Sequence, residues 1–235
     1  MRRAGFISTI WNTMTTSTER PLARLLQLAS PVLPVGAYSY SQGLEAAIEA
    51  GIVHDAASAE RWIGDVLGYS LARMEGPVLL RLCAAWRADD AAAAARWNSL
   101  FLAARETAEL RAETAQMGYS LAKLLPELGL TRIPLAEPSF PAAFAFAVAA
   151  WKIDPHEALV AYLWSWIENQ VLAAVKAVPL GQTDGQRLLL SLGGRLEEIA
   201  SCAARLDDDS LGNFAPGLAV LSSWHETQYS RLFRS

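Results

Sequence analysis

Three histidines (His54, His156 and His225) and two cysteines (Cys83 and Cys202) are the chain's whole stock of soft metal ligands and strong nucleophiles. They are far apart in sequence, with no C-x-x-C or H-E-x-x-H spacing, so no preformed tetrahedral metal site is predicted. His54 and His156 read as surface positions beside helix starts, and the two cysteines as small core residues. The phosphate-cradling G-x-x-x-x-G-K-[ST] loop and the G-x-S-x-G nucleophile elbow are missing as well. The sequence therefore predicts no catalytic residue, no cofactor and no metal ligand set.

Three other strings stand above background. Ser30-Pro31-Val32-Leu33-Pro34-Val35-Gly36-Ala37-Tyr38-Ser39-Tyr40-Ser41-Gln42-Gly43-Leu44-Glu45 is long for a turn, stiffened by prolines and dense in hydroxyls. Tyrosines such as Tyr38 and Tyr40 bury a ring while keeping a wet hydroxyl, a trait enriched at interfaces. Glu168-Asn169-Gln170 interrupts an apolar helix, and Lys176 follows near the face of Glu168. Polar groups there need partners across helices, or they line a wet interface or channel. The last string, Ser223 to Ser235, holds Trp224, Tyr229, Arg231, Phe233 and Arg234, the residue types of interface hot spots.

The elements that must position these residues are helical. Leu22, Leu25, Leu26 and Ala29 follow the i, i+3, i+4, i+7 rule after Thr18, a candidate cap, and Pro21. A short helix is expected from near Ser41 to Glu49. Another carries Trp62, Ile63, Val66, Leu67 and Leu71, and Gly76-Pro77 punctuates it. From Asp89-Asp90 an Ala-rich helix runs on towards Leu125, either straight or with a kink, and Arg105 and Glu109 form an i,i+4 pair on its wet face. Residues 129–141 read as loop, and Phe140 to Trp151 as a buried helix. Asp154-Pro155-His156-Glu157 starts a helix that ends at Pro179. A last long helix is capped by Asp184 and runs to Leu206, weakened at Gly193-Gly194. No stretch alternates with period two. The prediction is an all-α single domain of roughly ten helices, with a flexible leader (1–19), a helical domain (20–217) and a C-terminal tail (218–235). The tail, behind a linker from Asp207 to Gly217, is expected to stay poorly ordered until bound. Met14 is an alternative start to Met1.

Hydrophobic residues make up 52% of the 235 and charged residues 19%, an apolar balance that suggests surface shared with another chain. The net charge of −4 argues against nucleic acid. The uncharged apolar stretch from Phe140 to Trp151 is shorter than the about 20 apolar residues a bilayer needs, so no membrane partner is expected. Two unpatterned cysteines suit a reducing, cytoplasmic compartment.

Four strings, in order, resemble the urease accessory UreF family: the loop at 30–45, R-E-T-A-E-L-R-A-E at 105–113, A-A-V-K-A-V-P-L-G-Q at 173–182 and H-E-T-Q-Y-S-R-L-F-R-S at 225–235. The leader before Met14 and Gly193-Gly194 depart from the family pattern. The resemblance implies an all-helical, homodimeric accessory protein in nickel delivery. Its partners would be the scaffold UreD (also called UreH), the GTPase UreG and apo-urease. Tyr38, Ser41 and Glu45 are then expected to face UreG, and Tyr229, Arg231, Phe233 and Arg234 to face UreD. Glu168, Gln170 and Lys176 would be buried polar positions or a channel for nickel. Two other readings stand beside this one: a GTPase activator supplying an arginine finger, and an unrelated helical enzyme with a small-molecule pocket. Isothermal titration of the untagged chain with nickel should show no sub-micromolar site, because its ligands are so scattered. One tight site per chain would refute that.

Overall fold

The computed structural model describes residues 19–235, with side chains from residue 21. The leader and the proposed cap Thr18 lie outside the described residues. Among those described there is helix and no strand, as the periodicity predicts.

The centre is a helix with no polar face. FPAAFAFAVAA, Phe140–Ala150, starts at the Ser139 cap, whose side chain accepts from the Ala142 amide. An all-round apolar helix must be covered on every side. Gly76–Arg87 covers one side, with Trp86 Nε1 donating to Ala142 O at 3.2 Å and the Trp86 ring edge-on to Phe146. Ala108–Leu124 covers another, and Ala91–Ala103 touches both neighbours.

In chain order the helices are α1 (Glu19–Leu28), α2 (Leu44–Glu49), α3 (Ala56–Val66), α4 (Gly76–Arg87), α5 (Ala91–Ala103) and α6 (Ala108–Leu124). The central α7 (Phe140–Ala150) is followed by α8 (Pro155–Ala177), α9 (Gln182–Gly193), α10 (Leu196–Arg205) and α11 (Pro216–His225). The long α8 begins where expected, with Asp154 accepting from the His156 and Glu157 amides. It packs on α9, α10, α4, α3, α2 and α1, and so forms the floor under the N-terminal loop.

Several expectations are corrected. The helix from Asp90 does not run on to Leu125. Thr107 is extended (φ −135°) and caps α6 by accepting from the Leu110 amide, so the chain breaks after α5. The break turns Arg105 inward, where Nη1 lies 3.4 Å from Glu75 Oε2 with its side chain 5% exposed. The wet-face pair of Arg105 with Glu109 therefore does not exist. The last long helix is two, α9 and α10, because Gly194 and Arg195 interrupt it. Gly181 stands at the α9 N-cap, and Asp184 lies in the first turn instead. A Cβ on Gly193 would meet the Trp164 ring at 2.9 Å, so close helix contact explains that glycine. Cys83 is buried, but Cys202 is exposed. Nor is Lys176 a buried polar position, since it lies on an exposed face of α8.

Gly76-Pro77 does not stop a helix either. Leu67–Glu75 is a π-helix that runs straight into α4. Such wide turns leave carbonyls free and often mark functional positions. Here the supposed flexible linker uses them. The Gly212 amide donates to Arg73 O and the Phe214 amide to Tyr69 O, while Asn213 Nδ2 donates to Ala104 O at 2.8 Å. The tail beyond α11 folds back onto α2 and α6, so the expectation of an unordered tail is overturned.

The loop before α7 is clamped by Asn98, which donates to Glu137 O and accepts from the Ser139 amide, and by Thr114, which accepts from the Phe140 amide. That approach needs Gly118 on α6, where a Cβ would sit 2.0 Å from Pro138 O. Backbone cannot move aside as a flexible side chain can. Gly118→Ala should therefore destabilise the fold by about 1–3 kcal/mol or more, although alanine favours helix. Chemical denaturation checks this, and an unchanged midpoint would contradict the packing.

Candidate functional site

The site begins at two left-handed residues. Gln42 (φ 51°) and Gly43 (φ 76°) reverse the chain before α2, and Gly43 lies against Leu218 and the Ser222 amide of α11. The reversal points the amides of Ser41 and Gln42 at Ser235 O, at 2.6 and 3.0 Å. One turn on, Glu45 lies in the first turn of α2. Its Oε1 accepts from the Leu232 amide at 2.6 Å and its Oε2 from the Phe233 amide at 2.9 Å. Ser39 O accepts from the Arg234 amide at 2.8 Å.

The tail is held from α6 as well. Arg231 Nη1 donates to Glu109 Oε1 at 2.6 Å, and the rest of its fork ties down Gln228 O and Glu226 O. His225 is fully buried at the end of α11, with Nδ1 2.7 Å from Glu109 Oε2 and Nε2 3.2 Å from Glu45 Oε2. Phe233 is 6% exposed and Ser235 1%. The tail thus closes on the segment from Ser39 to Glu45 and on α6.

Behind this seam lies a cavity that encloses about 80 Å³ open to water. Its walls are apolar, among them Leu28, Leu33, Val35, Met117, Phe140 and Leu172. Its floor is charged. Tyr162 donates its hydroxyl to Glu75, and Arg105 faces the same carboxylate. Glu113 accepts from Gln42 Nε2 at 2.6 Å and from Ser235 Oγ at 2.9 Å. Trp166 Nε1 donates to Gln42 Oε1 at 2.7 Å, and Asn169 Nδ2 to Tyr40 O at 3.0 Å, so α8 grips the loop. Arg105 Nε is buried without a protein partner.

Burial dominates the ionisation of these groups. It pushes Glu113 up to about 7, against the hydrogen bond from Gln42, the Arg105 charge and the hydrogen bond from Ser235. It raises Glu75 against the Arg105 charge and the Tyr162 hydrogen bond. Tyr162 is raised well above the usual phenol range by burial and by Glu75. Tyr40 is raised by burial and the Glu113 charge, against the hydrogen bond and charge of Arg234. Glu168, half-buried in the cavity lining, is raised by desolvation.

The UreF family profile matches residues 53–193. Relatives named "Urease accessory protein UreF" match far more of the chain. That of Azoarcus sp. (strain BH72) is 59% identical over 224 residues, covering 92% of this chain and 96% of the relative. That of Janthinobacterium sp. (strain Marseille) is 54% identical over 226 residues, covering 91% and 98%. That of Dechloromonas aromatica (strain RCB) is 52% identical over 222 residues, covering 91% and 97%. The chain belongs to the urease accessory UreF family.

Within this UreF-family chain, the two residue sets that the sequence assigns to different partners are neighbours in one site. Tyr38 is 65% exposed, whereas Ser41 is buried and Glu45 is occupied with the tail. Of the tail residues, Phe233 is buried and Arg231 is tied down, while Tyr229 projects fully into solvent at 105% exposure. Glu168, Gln170 and Lys176 are not one set. Glu168 lines the cavity, Gln170 is 1% exposed with Nε2 unpartnered, and Lys176 faces out.

Sequence reasoning missed Gln42, Glu75, Arg105, Glu113, Tyr162 and His225. One signal was available: Arg105, Glu109 and Glu113 are spaced by four, and the last two sit on neighbouring turns of α6. The rest comes from helices that meet only in the fold.

Glu113 gives a pH prediction. Its folded-state value is raised above the ordinary 4.5, so its contribution is fully present below 4.5 and is lost as pH rises through about 7. Glu113→Gln, permanently neutral, should melt above the wild type at about pH 8, with the gap closing towards about pH 5. Calorimetry across that range checks it, and a gap that widens on acidification would contradict the assignment.

Proposed function

We propose that this chain is a scaffold that uses the seam between its N-terminal loop and its tail to bind UreD/UreH and recruit UreG, so that nickel reaches apo-urease. The observation that carries the reading is the Glu45 carboxylate holding the Leu232 and Phe233 amides. It locks the tail against the loop and leaves Tyr38, Trp224, Tyr229 and Leu232 exposed. Exposed aromatics on a fixed backbone are the usual anchors of protein interfaces. The protein works in the cytoplasm as a homodimer. Among the described residues no helix is long and apolar enough to cross a membrane.

A direct GTPase-activating role would need an arginine free to reach nucleotide. Arg105 is buried, and Arg231 spends its fork on Glu109, Gln228 and Glu226. Neither of these two arginines is free to act as such a finger. Passage of nickel through the chain is a finer part of the same reading. Its support is the cavity, with the carboxylates Glu75, Glu113 and Glu168 in its lining.

Tyr38→Ala and Tyr229→Ala test the surface, since neither side chain is needed for packing. Each should leave the melting temperature unchanged and weaken capture of UreD and UreG by about tenfold or more. Leu190→Ala, at an exposed position on α9, serves as the control. Wild-type capture by both tyrosine variants would overturn the proposal.

A further inference from the structure

His225 has two ring nitrogens and faces two carboxylates. Nδ1 is 2.7 Å from Glu109 Oε2 on α6, and Nε2 is 3.2 Å from Glu45 Oε2 on α2. The ring is 0% exposed, so water does not stand in for either partner. A neutral imidazole has one N–H and one lone pair. It can satisfy one carboxylate only by turning a lone pair on the other. The doubly protonated ring donates to both.

The same two carboxylates hold the tail. Glu45 takes the Leu232 and Phe233 amides, and Glu109 takes Arg231. The charged groups around the ring are therefore Glu45 from α2, Glu109 from α6, and Arg231 from the tail behind Glu109. Glu226 follows the ring in sequence and turns its carboxylate to the Glu109 amide at 3.3 Å. With a single ring proton, two partly buried carboxylates would share a seam with one guanidinium. The cheapest relief is for Glu45 to swing to solvent, which releases the tail amides, or for Glu109 to do so, which releases the Arg231 side chain.

We propose that His225 is a positioning residue that pins the tail closed while it carries both ring protons, and opens the seam when it loses one. Its consequence for partner binding rests on the function proposed above, but the pin itself concerns only the tail. The test therefore reads the tail and no partner. A failure here leaves partner capture untouched as a separate question.

Glu113 must be separated first. It touches Ser235 and its titration acts in the same direction, because its contribution is also lost as pH rises through about 7. The experiment uses the full chain carrying Glu113→Gln, and the same chain with His225→Gln added. Hydrogen-exchange protection factors of the Leu232 and Phe233 amides, which divide out intrinsic exchange, are followed from about pH 5.5 to about pH 8.5, the region where histidines change charge. In the Glu113→Gln chain, protection should fall at least about tenfold as pH rises, the scale of one charge-assisted hydrogen bond. The double variant should be poorly protected and flat. Ring ¹⁵N shifts of His225 in the single variant should show two N–H groups at the acidic end and lose one in step with protection. If the double variant does not fold, those shifts decide alone. Flat protection in the single variant, pH dependence surviving in a folded double variant, or a ring with one N–H throughout would each overturn the pin.

Discussion

The constraint on which the structure depends is that α7 has no side that tolerates water. A helix written FPAAFAFAVAA has to be enclosed, and α4, α5 and α6 arrange themselves to do it. Enclosure then fixes what surrounds the site. Phe140 lies tilted and Phe144 edge-on against the Tyr162 ring of α8, with ring centres at 5.5 and 5.0 Å. Tyr162 is thereby held where its hydroxyl meets Glu75. The clamp of Asn98, Thr114 and Gly118 sets the height at which α7 enters, so an apolar packing demand ends by placing a polar floor.

That floor explains how carboxylates survive inside an apolar shell. An isolated buried carboxylate is costly, and the usual response is a shift towards its neutral form. Glu75 and Glu113 both shift that way, and each also has specific partners. The π-helix contributes here. It delivers Glu75 from its last turn, and it spends its freed carbonyls on the 212–214 strap that also anchors Ala104, just before Arg105. The break between α5 and α6 and the wide turn of the π-helix are thus parts of one arrangement, the pairing of Arg105 with Glu75.

Much of this was legible in the sequence where the cause is local. The Asp154 cap, the arrest at Pro179 and the all-helical class follow from signals within a few residues, and the structure agrees. The failures share a different cause. Arg105 and Glu109 have ideal spacing for a surface pair, but Thr107 between them prefers to cap, and the helix ends. Gly193-Gly194 reads as a weak point within one helix, whereas the chain ends α9 there, with the Trp164 ring packed beside Gly193. The tail looked mobile because it follows a turn-rich, acidic stretch. Its partners, Glu45 and Glu109, lie more than a hundred residues upstream and carry no mark of the role. Family resemblance located the strings that matter without showing that two of them touch.

Their contact has a consequence that neither string has alone. Ser235 donates to Glu113, Glu113 accepts from Gln42, and Gln42 accepts from Trp166, a continuous line from the tail through the cavity floor to α8. Gln42 serves both neighbours from a left-handed backbone, and that same backbone aims its amide at Ser235 O. A tail that leaves the seam removes donors from Glu113 and acceptors from the loop amides together. The cavity floor would then hold a carboxylate with one hydrogen bond fewer, beside Arg105 and a Gln42 backbone amide that has lost its acceptor. Whatever draws the tail away therefore changes the polarity of the cavity by the same step. Surface and cavity are coupled through hydrogen bonds a few residues deep, with no movement of the α7 core required.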